Sequence, residues 1–400
     1  MTGKDPWALH AGWLIDGTGA PTRKEVFLVI SGGTLVSIAH AGAEHPKGLN
    51  IIDLAQCTIL PCLVDSHAHL AMSGQADPEI RAKQRMAPFA PVRDVIEGHL
   101  CDHLAHGVVA LRDGGDHAGH VLRYRKNDPS RSAVPVHLCS PGKAWHAKDR
   151  YGRLIGRPPL SGHSLAQSIA KGGHGIDHVK IVNSGLNSLL QFGKQTPPQF
   201  SREQLREAVR TGEELGLKTM IHANGEEAVG VAIAAGCHSI EHGFFMGNDN
   251  LKRLAEKGVT WVPTAFTMEA YARILAPGSR ESEISRKNRD HQMYQIQKAS
   301  EYGVTMAVGT DAGSPGVHHG KAIREEIALF LHAGVPVETA VQCATSNGAR
   351  LLGLGDRIGT LSPGMPATFL VLRGDPGALP AALAAPERVV ISGRTTDTSR

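Results

Sequence analysis

Short apolar runs of strand length recur through the middle of the chain, and each is followed by a stretch with helical periodicity. In order, the runs are TILPCLVDSHAHL, GVVALRDGG, VPVHLCSPGKAWH, DHVKIVNSG, LKTMIHANG, HSIEHGFF, VTWVPTAFT and VTMAVGTDAG. Between them lie helical segments such as SREQLREAVRTGEELG, where Ser201 and Gln204 can form a capping box. Eight strands alternating with helices predict an α/β fold, a (β/α)8 TIM barrel that closes near residue 350. An open doubly wound sheet also fits the alternation, but the absence of a G-x-G-x-x-G motif disfavours it.

The two ends of the chain have a different rhythm, in which alternating residues and Gly-rich turns predict short strands. Examples are VFLVISGGTLVSIAHAG near the start and PERVVISGR near the end. We therefore predict a small β-sandwich subdomain built from residues 1–58 and 356–400, around a barrel formed by residues 59–355. Within the barrel, the segment 268–303 is predicted to be a helical excursion after the seventh strand.

The composition of the chain argues against nucleic acid and membrane as partners. Hydrophobic residues make up 41% of the chain and charged residues 20%, and the formal net charge of +4 is not clustered, so a nucleic-acid surface is not indicated. No basic segment followed by a long apolar run opens the chain, and no run approaches the ~20 apolar residues that span a bilayer. The six scattered cysteines are typical of a reduced protein. We expect a cytoplasmic homo-oligomer with a small-molecule substrate and with neither nucleic acid nor membrane as a partner.

Lys180 stands inside one of the strand-like runs, at a position where another apolar residue is expected. Burying an ammonium without a partner is costly, so this side chain must be solvated, neutralised or chemically altered. For a lysine considered alone, a side chain that extends to solvent is the simplest interpretation.

Residues with ligand or base chemistry end five of the eight predicted strands. They are His67 and His69, Lys180, His222, His242 and Asp311. The carboxyl ends of barrel strands meet at one mouth, so these side chains are expected at one rim. In His67-x-His69 the period of two points both imidazoles to one side, where they can chelate one ion. Imidazole and carboxylate ligands suit zinc or another first-row ion.

Each of these residues also has a plainer interpretation. A histidine at a strand end is often hydrogen-bonded to backbone in the core, and Asp311 could cap the helix that follows it. A carboxylate that faces a metal-bound water can instead ligate the ion and accept a proton from the water. The occurrence of the full set at neighbouring strand ends favours the metal interpretation.

These motifs resemble the amidohydrolase superfamily, and more narrowly its imidazolonepropionase-like and Xaa-Pro dipeptidase-like binuclear members. The resemblance rests on LPCLVDSHAHL, the strand-borne Lys180, IHANG, IEHGFF, VGTDAGSP and the late segment ATSNGARLLGLGDRIGTLSPGMPATFLVL. It covers nearly the whole chain and implies a metal-dependent hydrolase with a (β/α)8 barrel and a β-sandwich from both termini. Two departures, Cys62 where Gly is usual and Thr368 where Asp is common, do not fall on ligand positions.

The resemblance also implies two divalent metal ions, with zinc as the expected metal. It assigns His67, His69 and Asp311 to the more buried ion, and His222 and His242 to the more exposed one.

Lys180, as an N6-carboxylysine formed with carbon dioxide, would bridge the two ions. Carboxylation turns the cation into an anionic ligand with two oxygens, which also removes the cost of burying it. The hydroxide that bridges the ions would attack a carbonyl and pass its proton to Asp311, the general base and acid. The implied reaction is cleavage of an amide-type C–N bond in a dipeptide, an N-acyl amino acid or a cyclic amide.

Substrate contacts are predicted in residues 140–159, which follow the third strand. Similar proteins place a histidine there to polarise the scissile carbonyl, and His146 is the candidate for this catalytic role; a solvated loop is the competing interpretation. Asn224 stands where many dipeptidase-like relatives have a second histidine, so it is a candidate substrate contact and their specificity need not apply. Candidates for binding a substrate carboxylate are Lys143, Tyr151, Arg153 and Lys194.

Three alternatives remain open. A mononuclear aminohydrolase acting on a purine-like or imidazole-like ring would lack Lys180 and usually has a glutamate where this chain has Gly225. An aldolase-like barrel would use Lys180 as a Schiff-base nucleophile, which the surrounding ligand-type side chains disfavour. A non-catalytic scaffold of the same fold should have lost a ligand, whereas all six positions are filled.

Overall fold

The computed structural model describes residues 6–40, 42, 48–127 and 134–396. Residues 1–5, 41, 43–47, 128–133 and 397–400, which belong to the predicted subdomain and barrel, lie outside the described residues. The strands are β1 (Trp7–Leu14), β2 (Arg23–Ser31), β3 (Thr34–His40), β4 (Asn50–Pro61), β5 (Leu63–Ala68), β6 (Val108–Asp113), β7 (His137–Cys139), β8 (Ala144–Trp145), β9 (Gly156–Arg157), β10 (His178–Val182), β11 (Lys218–Ala223), β12 (Ser239–His242), β13 (Thr260–Val262), β14 (Phe369–Arg373), β15 (Arg388–Ile391) and β16 (Arg394–Thr395).

The α-helices are α1 (Pro78–Met86), α2 (Phe89–Ala105), α3 (His120–Asn127), α4 (Leu165–Gly172), α5 (Arg202–Glu214), α6 (Glu226–Ala234), α7 (Gly247–Lys257), α8 (Phe266–Ile274), α9 (Arg280–Glu301), α10 (Ala322–His332), α11 (Val337–Ala344) and α12 (Ser346–Leu352). Ser201 and Gln204 form the predicted capping box at the start of α5. The predicted excursion after the seventh strand is helical and consists of α8 and α9. No helix in the described part of the chain is long and apolar enough to cross a membrane.

Strands from both ends of the chain meet in one seven-stranded sheet, in the order β16-β15-β14-β4-β1-β2-β3. In this sheet β4 pairs antiparallel with β14, with Leu60 opposite Leu370, and parallel with β1, with Leu9 opposite Ile52. Leu9, Leu370 and Leu60 are all buried, so the sheet covers apolar surface. The sandwich arrangement and its boundaries stay predictions.

The middle of the chain is a mixed α/β structure built on parallel strands. These strands form a six-stranded sheet, in the order β13-β12-β11-β10-β8-β9, and a three-stranded sheet, in the order β5-β6-β7. Residues 305–312 connect the two, because Trp261 donates its backbone N–H to Thr305 and Ser66 donates to Val308, each over 2.9 Å. Every residue of β5, β6 and β10 is buried, as expected for parallel strands covered on both faces.

Candidate metal centre

One cavity, with a volume of about 300 Å³, lies at the carboxyl ends of the parallel strands. All six residues predicted to be metal ligands line it. They are His67, His69, Lys180, His222, His242 and Asp311. Four of them belong to strands β5, β10, β11 and β12, His69 directly follows β5, and Asp311 lies in the segment 305–312 that connects the two sheets. The parallel topology therefore brings together residues that are far apart in sequence, as the strand-end pattern predicts.

His67, His69 and Asp311 form the most compact group. One ligand atom from each lies within 4.8 Å of the other two. The Oδ1 atom of Asp311 is 3.6 Å from Nε2 of His67 and 3.3 Å from Nε2 of His69. Ser314 donates its hydroxyl to the other oxygen, Oδ2, over 3.0 Å. The carboxylate is therefore held with one oxygen directed at the two imidazoles.

His222 and His242 lie beside this group. Their ring centroids are 4.5 Å apart, and the ring of His242 is 4.9 Å from that of His67. The Nε2 atom of His222 is 3.2 Å from the carbonyl oxygen of Gly185, which leaves its Nδ1 atom available. The two halves of the predicted ligand set thus border one another.

The imidazoles of His67, His69 and His242 are each anchored through Nδ1. The contacts are 2.8 Å to the Glu241 carboxylate, 3.0 Å to the Gly115 carbonyl and 2.7 Å to the Thr264 hydroxyl, respectively. With Nδ1 engaged in each ring, Nε2 is the nitrogen left for a ligand. This is the arrangement that orients histidine for metal binding.

Two buried polar atoms in the cavity have no hydrogen-bond partner among the described residues. They are Nε2 of His67 and Nζ of Lys180. Leaving such atoms unsatisfied costs free energy, so most buried polar groups in folded proteins have a partner. A metal ion on Nε2 and a carboxyl group on Nζ would each satisfy the atom concerned. The donor set therefore fits divalent ions.

Burial and neighbouring charges shift the pKa values of these groups, though not all in one direction. Against the effect of burial, the hydrogen bond to Asp311 raises the pKa of His69. Burial lowers the pKa of Lys180 to about 8, against the opposing effect of Glu241. Burial and the charge of Lys180 lower the pKa of His67 to about 4 and that of His222 to about 3. Burial alone would raise the pKa of Asp311, but the hydrogen bond from His69 and nearby imidazoles hold it well below its ordinary value. At neutral pH His67 and His222 are thus neutral and Asp311 is anionic, the forms that bind metals.

The backbone is strained at two of these residues. Asp311 has φ 57° and His242 has φ 68°, in the left-handed region that non-glycine residues seldom adopt. Thr264, the anchor of His242, has φ 47°. Such conformations cost about 1–3 kcal/mol each and occur most often at functional sites, where surrounding structure enforces them.

A buried ion pair between Arg112 and Glu241 contacts His67 on its Nδ1 side, and the sequence analysis did not predict it. Arg112 donates from Nη2 to Oε1 of Glu241 over 2.8 Å and from Nε to the carbonyl of Ser66 over 2.8 Å. Both Arg112 and Glu241 are buried, in β6 and β12. The signal was present, because each is a charged residue inside an apolar strand run, as Lys180 is.

The predicted substrate contacts are only partly brought to the cavity. Tyr151 and Asn224 line the cavity. His146 is buried with Nδ1 2.8 Å from the carbonyl of Ala147, and it is not among the described residues that line the cavity. Lys143 lines a separate hollow, and Arg153 is exposed and paired with Asp149. Lys194 is likewise absent from the described lining, and the roles of these residues stay predictions.

The model of the amidohydrolase family matches residues 58–396. The chain belongs to the amidohydrolase family. As a member of this family it is an enzyme that hydrolyses carbon–nitrogen bonds.

Individual amidohydrolase relatives are distant but match along nearly their full length. An uncharacterised protein of Mycobacterium tuberculosis (strain ATCC 25618 / H37Rv) is 28% identical over 393 residues, which cover 95% of this chain and 95% of that protein. Ochratoxinase of Aspergillus niger is 24% identical over 402 residues, covering 92% of this chain and 81% of that enzyme. The crystal structure of a Xaa-Pro dipeptidase with bound methionine matches with a TM-score of 0.79 at 24% identity, over 98% of this chain and 100% of that chain. The fold is therefore shared with that dipeptidase.

Proposed function

We propose that this amidohydrolase cleaves an amide bond in a small substrate such as a dipeptide, an N-acyl amino acid or a cyclic amide, in a metal-dependent reaction. The observation that carries the proposal is the convergence of six ligand-type side chains on one cavity, two of them with buried polar atoms that have no partner among the described residues. A volume of about 300 Å³ is at the lower end of the ~300–1,000 Å³ typical of small-molecule sites.

The proposed metal site holds two divalent ions, with zinc as the expected metal. His67, His69 and Asp311 would hold one ion, and His222 and His242 the other. Lys180 would be an N6-carboxylysine that contributes to both. When bound, the ions supply positive charge that polarises a carbonyl and acidifies water.

Asp311 acts as the general base and acid in this proposal. Its carboxylate takes a proton from the attacking water and donates it to the leaving nitrogen, so that the amine departs neutral. Asn224 and Tyr151 line the cavity and would contact the substrate. His146 is a further candidate for polarising the carbonyl. In that role its buried ring would have to reach the substrate.

We also propose that the parallel strands close into a barrel. The two parallel sheets would be parts of one (β/α)8 barrel, with residues 305–312 as its eighth strand. Support comes from the hydrogen bonds that this segment makes to both β13 and β5 and from the fold shared with the Xaa-Pro dipeptidase. Its name indicates that this neighbour acts on a dipeptide, which agrees with the proposed class of substrate.

A mononuclear aminohydrolase is the second candidate. It is favoured by one observation, that the tight three-ligand group in the described structure consists of His67, His69 and Asp311 alone. Against it, Lys180 lies buried in the same cavity with no described partner for its amine. Metal content separates the two candidates, because only the binuclear site requires two ions per chain.

The test is to load the protein with zinc, determine its metal content and assay dipeptides, N-acyl amino acids and cyclic amides for hydrolysis. Two ions per chain with amide hydrolysis is the expected result. One ion per chain together with release of ammonia from a purine-like or imidazole-like ring would contradict the proposal and favour the aminohydrolase.

A further inference from the structure

Two arginines line the same cavity as the metal centre. Arg81 and Arg85 lie on α1, which begins after its cap Asp77 and contains no buried residue. They are four residues apart, so both side chains project from one face of the helix. The cavity is therefore lined by two cationic side chains in addition to the six residues proposed as metal ligands.

Arg81 is held in place by uncharged partners. Its Nη1 atom donates to the carbonyl of Ser73 over 2.9 Å and to that of Gln75 over 3.1 Å. Arg85 is exposed, and neither arginine forms an ion pair with a carboxylate in the described part of the chain. Like charges four residues apart on a helix repel each other, so an anion between them would be stabilising.

The two acidic residues that line the cavity, Asp116 and Asp311, have partners other than the arginines. Asp116 lines the cavity, but its two oxygens accept backbone N–H groups of Ala118, His120 and Val121 at the start of α3. Asp311 faces His67 and His69. The two guanidinium groups thus remain available to a ligand, and guanidinium matches a carboxylate through paired hydrogen bonds.

Another part of the cavity wall is apolar. It is formed by Leu154, Leu186, Leu189, Phe244 and Met268. Leu154 and Leu186 are 46% and 55% exposed, which is high for leucine at the edge of a site. Covering such surface with an apolar group gains about 25 cal/mol per Å² of area removed from water.

We propose that the substrate carries a carboxylate bound by Arg81 and Arg85 and an apolar group that packs on the leucine-rich wall, with the scissile amide between them at the metal centre. This inference rests on the proposed amide hydrolysis and specifies its substrate class. It replaces the predicted carboxylate contacts Lys143, Arg153 and Lys194 with residues that the structure places in the cavity.

The experiment compares N-hexanoylglycine, whose amide lies between an apolar chain and a carboxylate, with N-hexanoylglycinamide, which lacks only the charge, on the metal-loaded enzyme. Binding is followed by ligand-detected NMR and hydrolysis by hexanoate release. Wild-type protein should favour the acid, and Arg85→Gln should weaken that preference about tenfold or more, mainly through KM. Arg81→Gln should do the same, and the double variant should abolish the preference.

Lys83→Gln is the matched control, because Lys83 is an exposed cation of α1 that does not belong to the cavity lining. It should leave the preference unchanged. Equal binding of acid and amide by the wild type, no binding of the acid, or a preference that survives in the double variant would overturn the inference. Arginine-dependent binding of the acid without hydrolysis of any amide would instead refute the proposed function and leave the anion site standing.

Discussion

The carboxylate of Glu241 lies 2.8 Å from Nδ1 of His67, and both side chains are fully buried. The other oxygen of Glu241 receives a hydrogen bond from Arg112. A carboxylate placed between a guanidinium and an imidazole fixes which ring nitrogen carries the proton, and so leaves Nε2 of His67 unprotonated. Glu241 therefore connects the buried Arg112 to His67 in the candidate metal centre.

The substitution Glu241→Gln should weaken metal binding by about 10- to 100-fold, which is the usual effect of losing a partner behind a metal ligand. The amide lacks the negative charge that orients His67, and it leaves Arg112 buried without a counter-charge. Metal affinity is measured by competition with a chelator, at a temperature where circular dichroism shows the variant folded. Glu301→Gln, which breaks an exposed pair with Lys298, is the control. Unchanged affinity in the Glu241 variant would show that the pair only supports the fold.

The substitution Lys180→Met should remove one of two bound ions and most of the hydrolysis, while keeping the fold. Methionine fills similar space and eliminates a buried amine that has no described partner, so no hydrogen bond is lost. Metal content is measured alongside carbon NMR of protein equilibrated with isotopically labelled bicarbonate, which should show a carbamate signal in the wild type but not in the Lys180 variant. Lys257→Met, at an exposed lysine of α7, should retain both the two ions and the carbamate signal. A variant at position 180 that keeps two ions and full turnover would refute the bridging role.

The substitution Asp311→Asn should retain metal but lower kcat by about 10²- to 10⁴-fold, the usual contribution of a general base or acid. Asparagine preserves the shape of the side chain, and its oxygen can still face the imidazoles, but its amide cannot take up a proton. The measurement is turnover at saturating metal, with metal content determined on the same sample. Near-wild-type turnover would contradict the proposed role.

Stability should fall in mild acid because of His103, a buried residue of α2 that is not among the predicted ligands. Its Nε2 atom is 3.1 Å from Nδ1 of His319, and it lies within electrostatic reach of His99 in α2 and of His106, the residue that caps α2. Burial and these neighbours lower its pKa to about 3. Below the ordinary pKa of about 6.5 the unfolded chain binds a proton that the folded chain does not, so the free energy of unfolding decreases by up to ~1.4 kcal/mol per pH unit.

This dependence is measured by urea unfolding at about pH 7.5 and about pH 5.5, where each affected histidine can contribute ~1 kcal/mol of difference. His103→Gln should reduce the loss between the two conditions, whatever its effect on stability at either one. His40→Gln, at an exposed histidine, should leave the difference as in the wild type. An identical loss in the His103 variant would show that this residue is not responsible.

The residues proposed as ligands could be found from the sequence because two independent signals coincide at them. Strand-length apolar runs mark where a strand ends, and His67, His222 and His242 stand at those ends. Parallel topology then places all such ends on one side, so the chain order of the residues becomes irrelevant to their proximity. Neither step requires knowledge of side-chain contacts.

The proposed contacts to the substrate carboxylate could not be found from the sequence, for a physical reason. Arg81 and Arg85 belong to an exposed helix whose composition resembles that of any solvated helix. They line the cavity only because the connection after β5 places α1 beside it. No local sequence pattern specifies that position. Lys143 and Arg153, by contrast, were selected for their charge in a loop after the third strand, and the structure directs them elsewhere.

The position of β4 has a consequence for how the enzyme is made. This strand pairs with β1 on one side and with β14 on the other, and it leads after one residue into β5, which carries His67. Because a chain is synthesised from its N-terminus, β4 has one unpaired edge until residues 369–373 have left the ribosome. Unpaired edges are where chains associate wrongly. Synthesis that stops short of β14 should therefore yield an aggregating product rather than a shortened enzyme.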